Sequence, residues 1–229
     1  MRFKLTVIAA IAVMTSLIVA GLAIGSGDGN SMQGMSHMQG MSHVQSGTTG
    51  ASDLRALLDR QLGQHAALAM NATNAGVKGS KAFPAAAKAL DANSVALSKS
   101  IASVYGAKAG NTFLNGKFMW RDHIKFFVAY TVATAKKDNA AKAKAVANLK
   151  TYTVKFGDFL AGATGLPKGA VRADLLAHVV QLKTQLDAYA KGQYTRAATL
   201  YNQAYEHMFM TGDLLAGAIS KQFPSKFPA

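Results

Sequence analysis

GDFLAGA at residues 157–163 and GDLLAGA at residues 212–218 differ at one position and stand 55 apart; without a gap, the same shift lays His123 on His178. An ungapped match that carries a histidine along with a helical motif is the mark of an internal repeat, which has to be settled before single residues are judged. Working outward, His65 falls on His123 at a shift of 58, and Leu97 on Leu160 at a shift of 63, so the earliest copy is five residues shorter at its turn. Three helical hairpins of about fifty residues follow. In each, the first helix carries a histidine three residues after a large apolar one: Leu62 before His65, Trp120 before His123, Leu175 before His178. Positions three apart are neighbours on a helix, so each histidine belongs to a half-apolar face.

Punctuation between Ala-, Leu- and Lys-rich runs spaces out six helices, and no strand pattern competes. Ser52 or Asp53 suits the cap of a first helix ending near Gly76. Pro84 suits the first turn of a second, ending by Gly106. A third starts at Asn111 or Thr112, and Asp138 caps a fourth that ends at Gly165 before Pro167. The fifth runs from Ala170 to Gly192, and the last from Thr195 to near Gln222, where Pro224 stops it. The fold expected for residues 51–229 is an all-α six-helix bundle of three repeated hairpins.

What precedes the bundle reads differently. Arg2 and Lys4 lead into the uncharged, apolar stretch 5–24, which has the form of an export signal; twenty such residues also just span a bilayer. Residues 1–25 are therefore expected to be a signal peptide or membrane anchor, with the remainder outside the cytoplasm. Residues 26–50 are rich in Gly, Ser, Met, Gln and His without an apolar face, which reads as a disordered linker. Within it MQGMSH occurs twice in tandem, at 32–37 and 38–43. Thioether sulfur is a soft ligand that suits Cu(I), and imidazole suits both copper states, so Met32, Met35, His37, Met38, Met41 and His43 are candidate metal ligands, copper ahead of zinc or iron. A plain spacer has little reason to expose four oxidisable methionines.

Further candidates lie in the bundle. His65, His123 and His178 meet if equivalent helices share a core, and three imidazoles with an open position make a metal site. Met119 precedes His123 by four residues and Met210 follows His207 by three, which puts each methionine on a histidine's face. Asp122 and Glu206 each stand next to a histidine in sequence. Adjacent helical positions diverge by about 100°, so these carboxylates are expected to orient a partner's imidazole. The competing reading makes every one of these histidines a core residue, its nitrogens bonded to local partners. Trp120, with Phe118, Phe126 and Phe127, reads as an aromatic core cluster.

Composition excludes several classes. With no cysteine, thiolate catalysis, iron–sulfur clusters and lipid-anchored cysteine are out, and with Glu206 as the only glutamate the four-helix di-iron carboxylate design is out. No catalytic constellation is present, so the reading is non-enzymatic. The 25 Lys and Arg against 11 Asp and Glu give a charge of +14. Lysines without an arginine cluster or a recognition motif fit anionic envelope surfaces or lipid headgroups and not nucleic acid. A structural or adhesive envelope protein docking through this basic body is the alternative function.

With its Leu-x-x-His helices, the Leu97 and Ile101 pattern and the closing GDLLAGAI followed by QFP, the stretch from Ala51 to Phe227 resembles exported all-helical bacterial proteins that often carry a copper amine oxidase label. The resemblance implies export and a helical repeat. The label itself implies a β-rich fold, a tyrosine-derived quinone and a His-x-His copper pair; the sequence has neither His-x-His nor a strand framework, so that chemistry does not carry over.

Overall fold

The computed structural model describes residues 50–228, which belong to one compact unit. The expected signal or anchor at 1–25 and nearly all of the linker at 26–50 lie outside the described residues. Those described form seven helices and no strand: α1 Ala51–Val77, α2 Phe83–Tyr105, α3 Ala107–Asn115, α4 Trp120–Lys136, α5 Asn139–Thr164, α6 Lys168–Ala190 and α7 Tyr194–Gln222. None of them is long and apolar enough to cross a membrane.

Most boundaries fall where the local chemistry puts them. Pro84 occupies the first turn of α2, Gly106 (φ 88°) and Gly165 (φ 73°) end α2 and α5, and the Asp138 carboxylate accepts from the Ala141 N–H at 2.9 Å as the cap of α5. Two boundaries differ. Neither Ser52 nor Asp53 is the N-cap of α1, which begins two or three residues earlier, after Gly50, where the Pro228 carbonyl accepts the Ala51 N–H at 2.9 Å. The expected third helix is split. A Cβ on Gly116 would meet the Thr112 carbonyl and Met119 Cγ at 2.7 Å, Phe118 stands at φ 58°, and the Phe118 N–H donates to Asp122 at 2.8 Å, so the chain turns between α3 and α4.

The packing order places the site. α1, α4 and α6 pack against one another, and around them α2 lies on α1, α5 on α4 and α6, and α7 on α6 and α1. Two glycines make the close approaches possible. A Cβ on Gly157 would stand 2.8 Å from Arg172 Cγ, and one on Gly212 would stand 2.2 Å from Asp59 Oδ1. Arg172 and Asp59 each lie six residues before a histidine, His178 and His65, on the helix that receives the contact. One large core joins α1 to α7 through Met70, Leu97, Tyr152, Phe156 and Leu186, and a smaller one of Leu54, Leu58, Ala216, Ile219 and Phe227 closes the end near the termini of the unit.

Candidate metal centre

Each of the three inner helices, α1, α4 and α6, brings one histidine to the centre, and α7 brings a fourth. His65, His123, His178 and His207 are 1%, 4%, 4% and 8% exposed. The half-apolar face explains this: the residue three before each of the first three, Leu62, Trp120 or Leu175, is buried beside it.

The rings converge. His65 Nε2 and His123 Nε2 are 3.4 Å apart, and ring centroids lie 5.4 Å apart for His65–His123, 6.0 Å for His65–His178 and 6.4 Å for His178–His207. Aromatic rings hold them in place. Trp120 sits 4.6 Å from His65 and 4.8 Å from His123, its own Nε1 donating to Ser94 Oγ, and Tyr152 stacks on His123 at 4.7 Å. The Nδ1 atoms of His65, His123 and His178 are buried and make no hydrogen bond; the Trp120 carbonyl near His123 favours a proton there without well-aligned geometry. Under the core reading each ring would bond a local partner; here the contact at Nε2 of His65 and His123 is with each other, and His178 Nδ1 has none.

Burial makes all three imidazoles poor bases. Desolvation pushes His65 and His178 well below the ordinary range and His123 down to about 3, and the neighbouring imidazoles add to the effect. At neutral pH the three rings are uncharged, the state that binds a metal.

His207 is different. Its Nε2 stands 3.3 Å from both the backbone carbonyl and a carboxylate oxygen of Asp174, which also accepts from the Thr211 hydroxyl. Burial raises the Asp174 carboxyl, against the lowering effect of His207 and Thr211. Asp174 is thus the carboxylate that reaches an imidazole, in place of the two expected. Asp122 serves the Phe118 N–H and pairs with Lys125, and Glu206 is exposed. The one signal in sequence was partial: Asp174 precedes His178 by four residues and so shares its face of α6, but its partners His207 and Thr211 come from α7.

The methionines divide. Met119 is the N-cap of α4 and packs, half-buried, against the core, whereas Met210 is 61% exposed and points away from the histidines. Met208, not singled out by spacing, is buried and lines the same cavity as His123 and His178. Met32, Met35, His37, Met38, Met41 and His43 lie outside the described residues. The expected aromatic cluster is part of the large core: Trp120 and Phe127 are buried members with Phe118 and Phe126 packed against it, Trp120 stacking on Phe113 at 5.0 Å and Phe118 on Phe126 at 5.6 Å.

Among the described residues, no set of three or more His, Cys, Asp or Glu side chains stands arranged to hold a metal ion. What the bundle offers is the His65–His123 pair, with His178 close by. Two nitrogens on one ion at roughly 2.0–2.1 Å stand roughly 3.3–3.6 Å apart in tetrahedral or trigonal geometry. The observed 3.4 Å matches that spacing and exceeds the usual 2.7–3.2 Å of a nitrogen-donor hydrogen bond.

Beside the rings lies a cavity of about 110 Å3. Leu62, Trp120 and Leu175 line it, as do Leu97, Leu160 and Leu215, so both sets of residues that the sequence shifts equate face one space. Comparison with family models, curated proteins and solved structures found no match to this chain.

Proposed function

We propose that this chain is a non-enzymatic, extracytoplasmic metal-binding protein, copper before zinc or iron, in which the Met/His arm at 32–43 captures the ion and the buried imidazoles of the bundle hold it. One observation carries the reading: His65 Nε2 and His123 Nε2 face each other at 3.4 Å in a buried, uncharged setting. That is the spacing of two nitrogens on one ion, and it is longer than a well-formed hydrogen bond between two neutral rings.

The apolar wall also bears on the choice of ion. Among the described residues no carboxylate is recorded in contact with the His65–His123 pair, so a monovalent soft cation is less costly to bury there than a divalent one, and neutral imidazole with a thioether such as Met208, which lines the same cavity as His123, suits Cu(I). The bundle itself reads as three duplicated hairpins. Gly157 and Gly212, equivalent at the 55-residue shift, each close on a residue six before a histidine, which supports a cyclic arrangement of copies. Export and this helical repeat are what the resemblance to exported bacterial helical proteins implies.

The test is a Cu(I) competition titration on the exported protein, a version lacking residues 32–43, and a His65→Leu/His123→Leu double variant checked for helical signal. Loss of copper stoichiometry in each altered protein is expected. Equal binding in all three removes both sites. The alternative, docking on anionic envelope surfaces, rests on the basic body, and vesicles with and without anionic lipid distinguish it by salt-sensitive binding.

A further inference from the structure

The cavity beside the histidines has a wall that is almost wholly carbon, and most of its polar residues turn their heteroatoms elsewhere. Thr164 Oγ1 donates to the Leu160 carbonyl at 2.7 Å, Thr211 Oγ1 to Asp174 and the His207 carbonyl, Tyr105 Oη to Gln222 at 2.7 Å, and His123 Nε2 faces His65. A water there would find few of the two to four polar partners it needs. Phe113, Trp120, Tyr152 and Phe156 supply flat aromatic faces, and the volume of about 110 Å3 is a little below the roughly 150 Å3 of apolar cavities that take up benzene or xenon. The cavity also reaches towards the surface. Tyr105 and Ala163 line it while partly exposed, and exposed Gln222 bridges them, its Nε2 donating to the Ala163 carbonyl at 2.9 Å.

We infer that this cavity is a binding site for a neutral, unfunctionalised small molecule, a single aromatic ring or a short hydrocarbon, entering past the Gln222 bridge. Ionic and strongly hydrogen-bonding organic molecules are disfavoured, because the almost wholly carbon wall offers them little in exchange for their water. The inference does not rest on the metal reading, although His123, His178 and Met208 belong to both, so its test is run with chelator present throughout.

Trp120, the only tryptophan of the chain, is part of the wall, so its emission reports occupancy directly. Titrate the metal-free protein with iodobenzene, a heavy-atom quencher of the right size, and in parallel with potassium iodide. Saturable quenching by iodobenzene at one equivalent, little quenching by iodide, and a melting temperature raised by benzene are expected. Two filling variants at different walls, Leu215→Phe and Ala163→Leu, each checked for helical signal, should weaken iodobenzene affinity at least tenfold. Quenching that rises linearly without saturation, that iodide matches, or that persists unchanged in the folded filling variants overturns the proposal.

Discussion

Acid should loosen this bundle well before its carboxylates titrate. His65, His123 and His178 are uncharged in the folded protein because burial has lowered each one, whereas in the unfolded chain each takes a proton near pH 6.5. A basic group lowered by folding binds fewer protons folded than unfolded between the two pKa values. Its contribution is therefore intact above pH 6.5 and is lost as pH falls through that window. For His123, lowered from 6.5 to about 3, the full window amounts to about 5 kcal/mol, and the fall from pH 7 to pH 5 to roughly 2 kcal/mol. His65 and His178 act in the same direction. Asp59 and Asp174, whose carboxyls burial raises, act in the opposite one. Against a total stability of roughly 5–15 kcal/mol for a domain, three such groups suffice to unfold the protein in mild acid. The assay is urea unfolding followed by far-UV circular dichroism at half-unit steps from pH 7 to pH 4, with chelator present. The unfolding free energy should fall by about 1.4 kcal/mol per pH unit for each histidine taking part, and His123→Leu should lower that slope by about one such step whatever it does to stability at pH 7. A slope near zero between pH 6 and pH 4.5, or one unchanged by His123→Leu, would refute the claim that these imidazoles are buried and neutral.

Other substitutions test the packing. Gly212→Ala places a methyl 2.2 Å from Asp59 Oδ1 and close to its backbone, so a loss of about 1–3 kcal/mol in chemical unfolding is expected, while Gly217→Ala, with nothing within 4 Å, should stabilise by up to about 1 kcal/mol through helix propensity. Asp138→Ala removes the cap of α5 and should cost about 1 kcal/mol, whereas Asp138→Asn should cost less. Asp187 is held below its usual range because hydrogen bonds from Lys183, Tyr130 and Lys142 outweigh the raising effect of burial; Asp187→Asn should therefore lower the melting temperature at pH 7 and close part of that gap below pH 4.

Much of the fold could be read from spacing, because helix ends here are set by local chemistry. Pro84, Gly106, Asp138 and Gly165 act on their own turn of backbone and need no partner from afar. The start of α1 and the break at 116–119 were hidden for the converse reason: one depends on Pro228, 177 residues away from Ala51, and the other on a close approach of Met119 to Gly116. At the site, a three-residue offset from a large apolar neighbour was enough to put His65, His123 and His178 inside. Asp122 and Glu206 reach no partner's imidazole, because Asp122 turns back to the Phe118 N–H and Glu206 faces outward; Asp174 reaches His207 across two helices, a contact set by packing. Met210, three residues on, lies closer to His207 on a helical wheel than Met208 does, yet the packing of α7 against α6 and α1 turns Met208 inward. Tyr152 arrives beside His123 from another helix, and no local pattern announces that contact.

X-ray absorption at the copper edge gives the most direct view of whether the bundle is a metal centre. The sample is the protein lacking residues 32–43, loaded with one equivalent of Cu(I) and freed of loose ion, so that any copper seen is held by the folded part. Two or three nitrogen scatterers at about 2.0 Å, reduced in number by His123→Leu, are expected from the His65–His123 pair with or without His178. Failure to retain copper, or a shell of sulfur alone, would contradict the placement of a metal between these imidazoles.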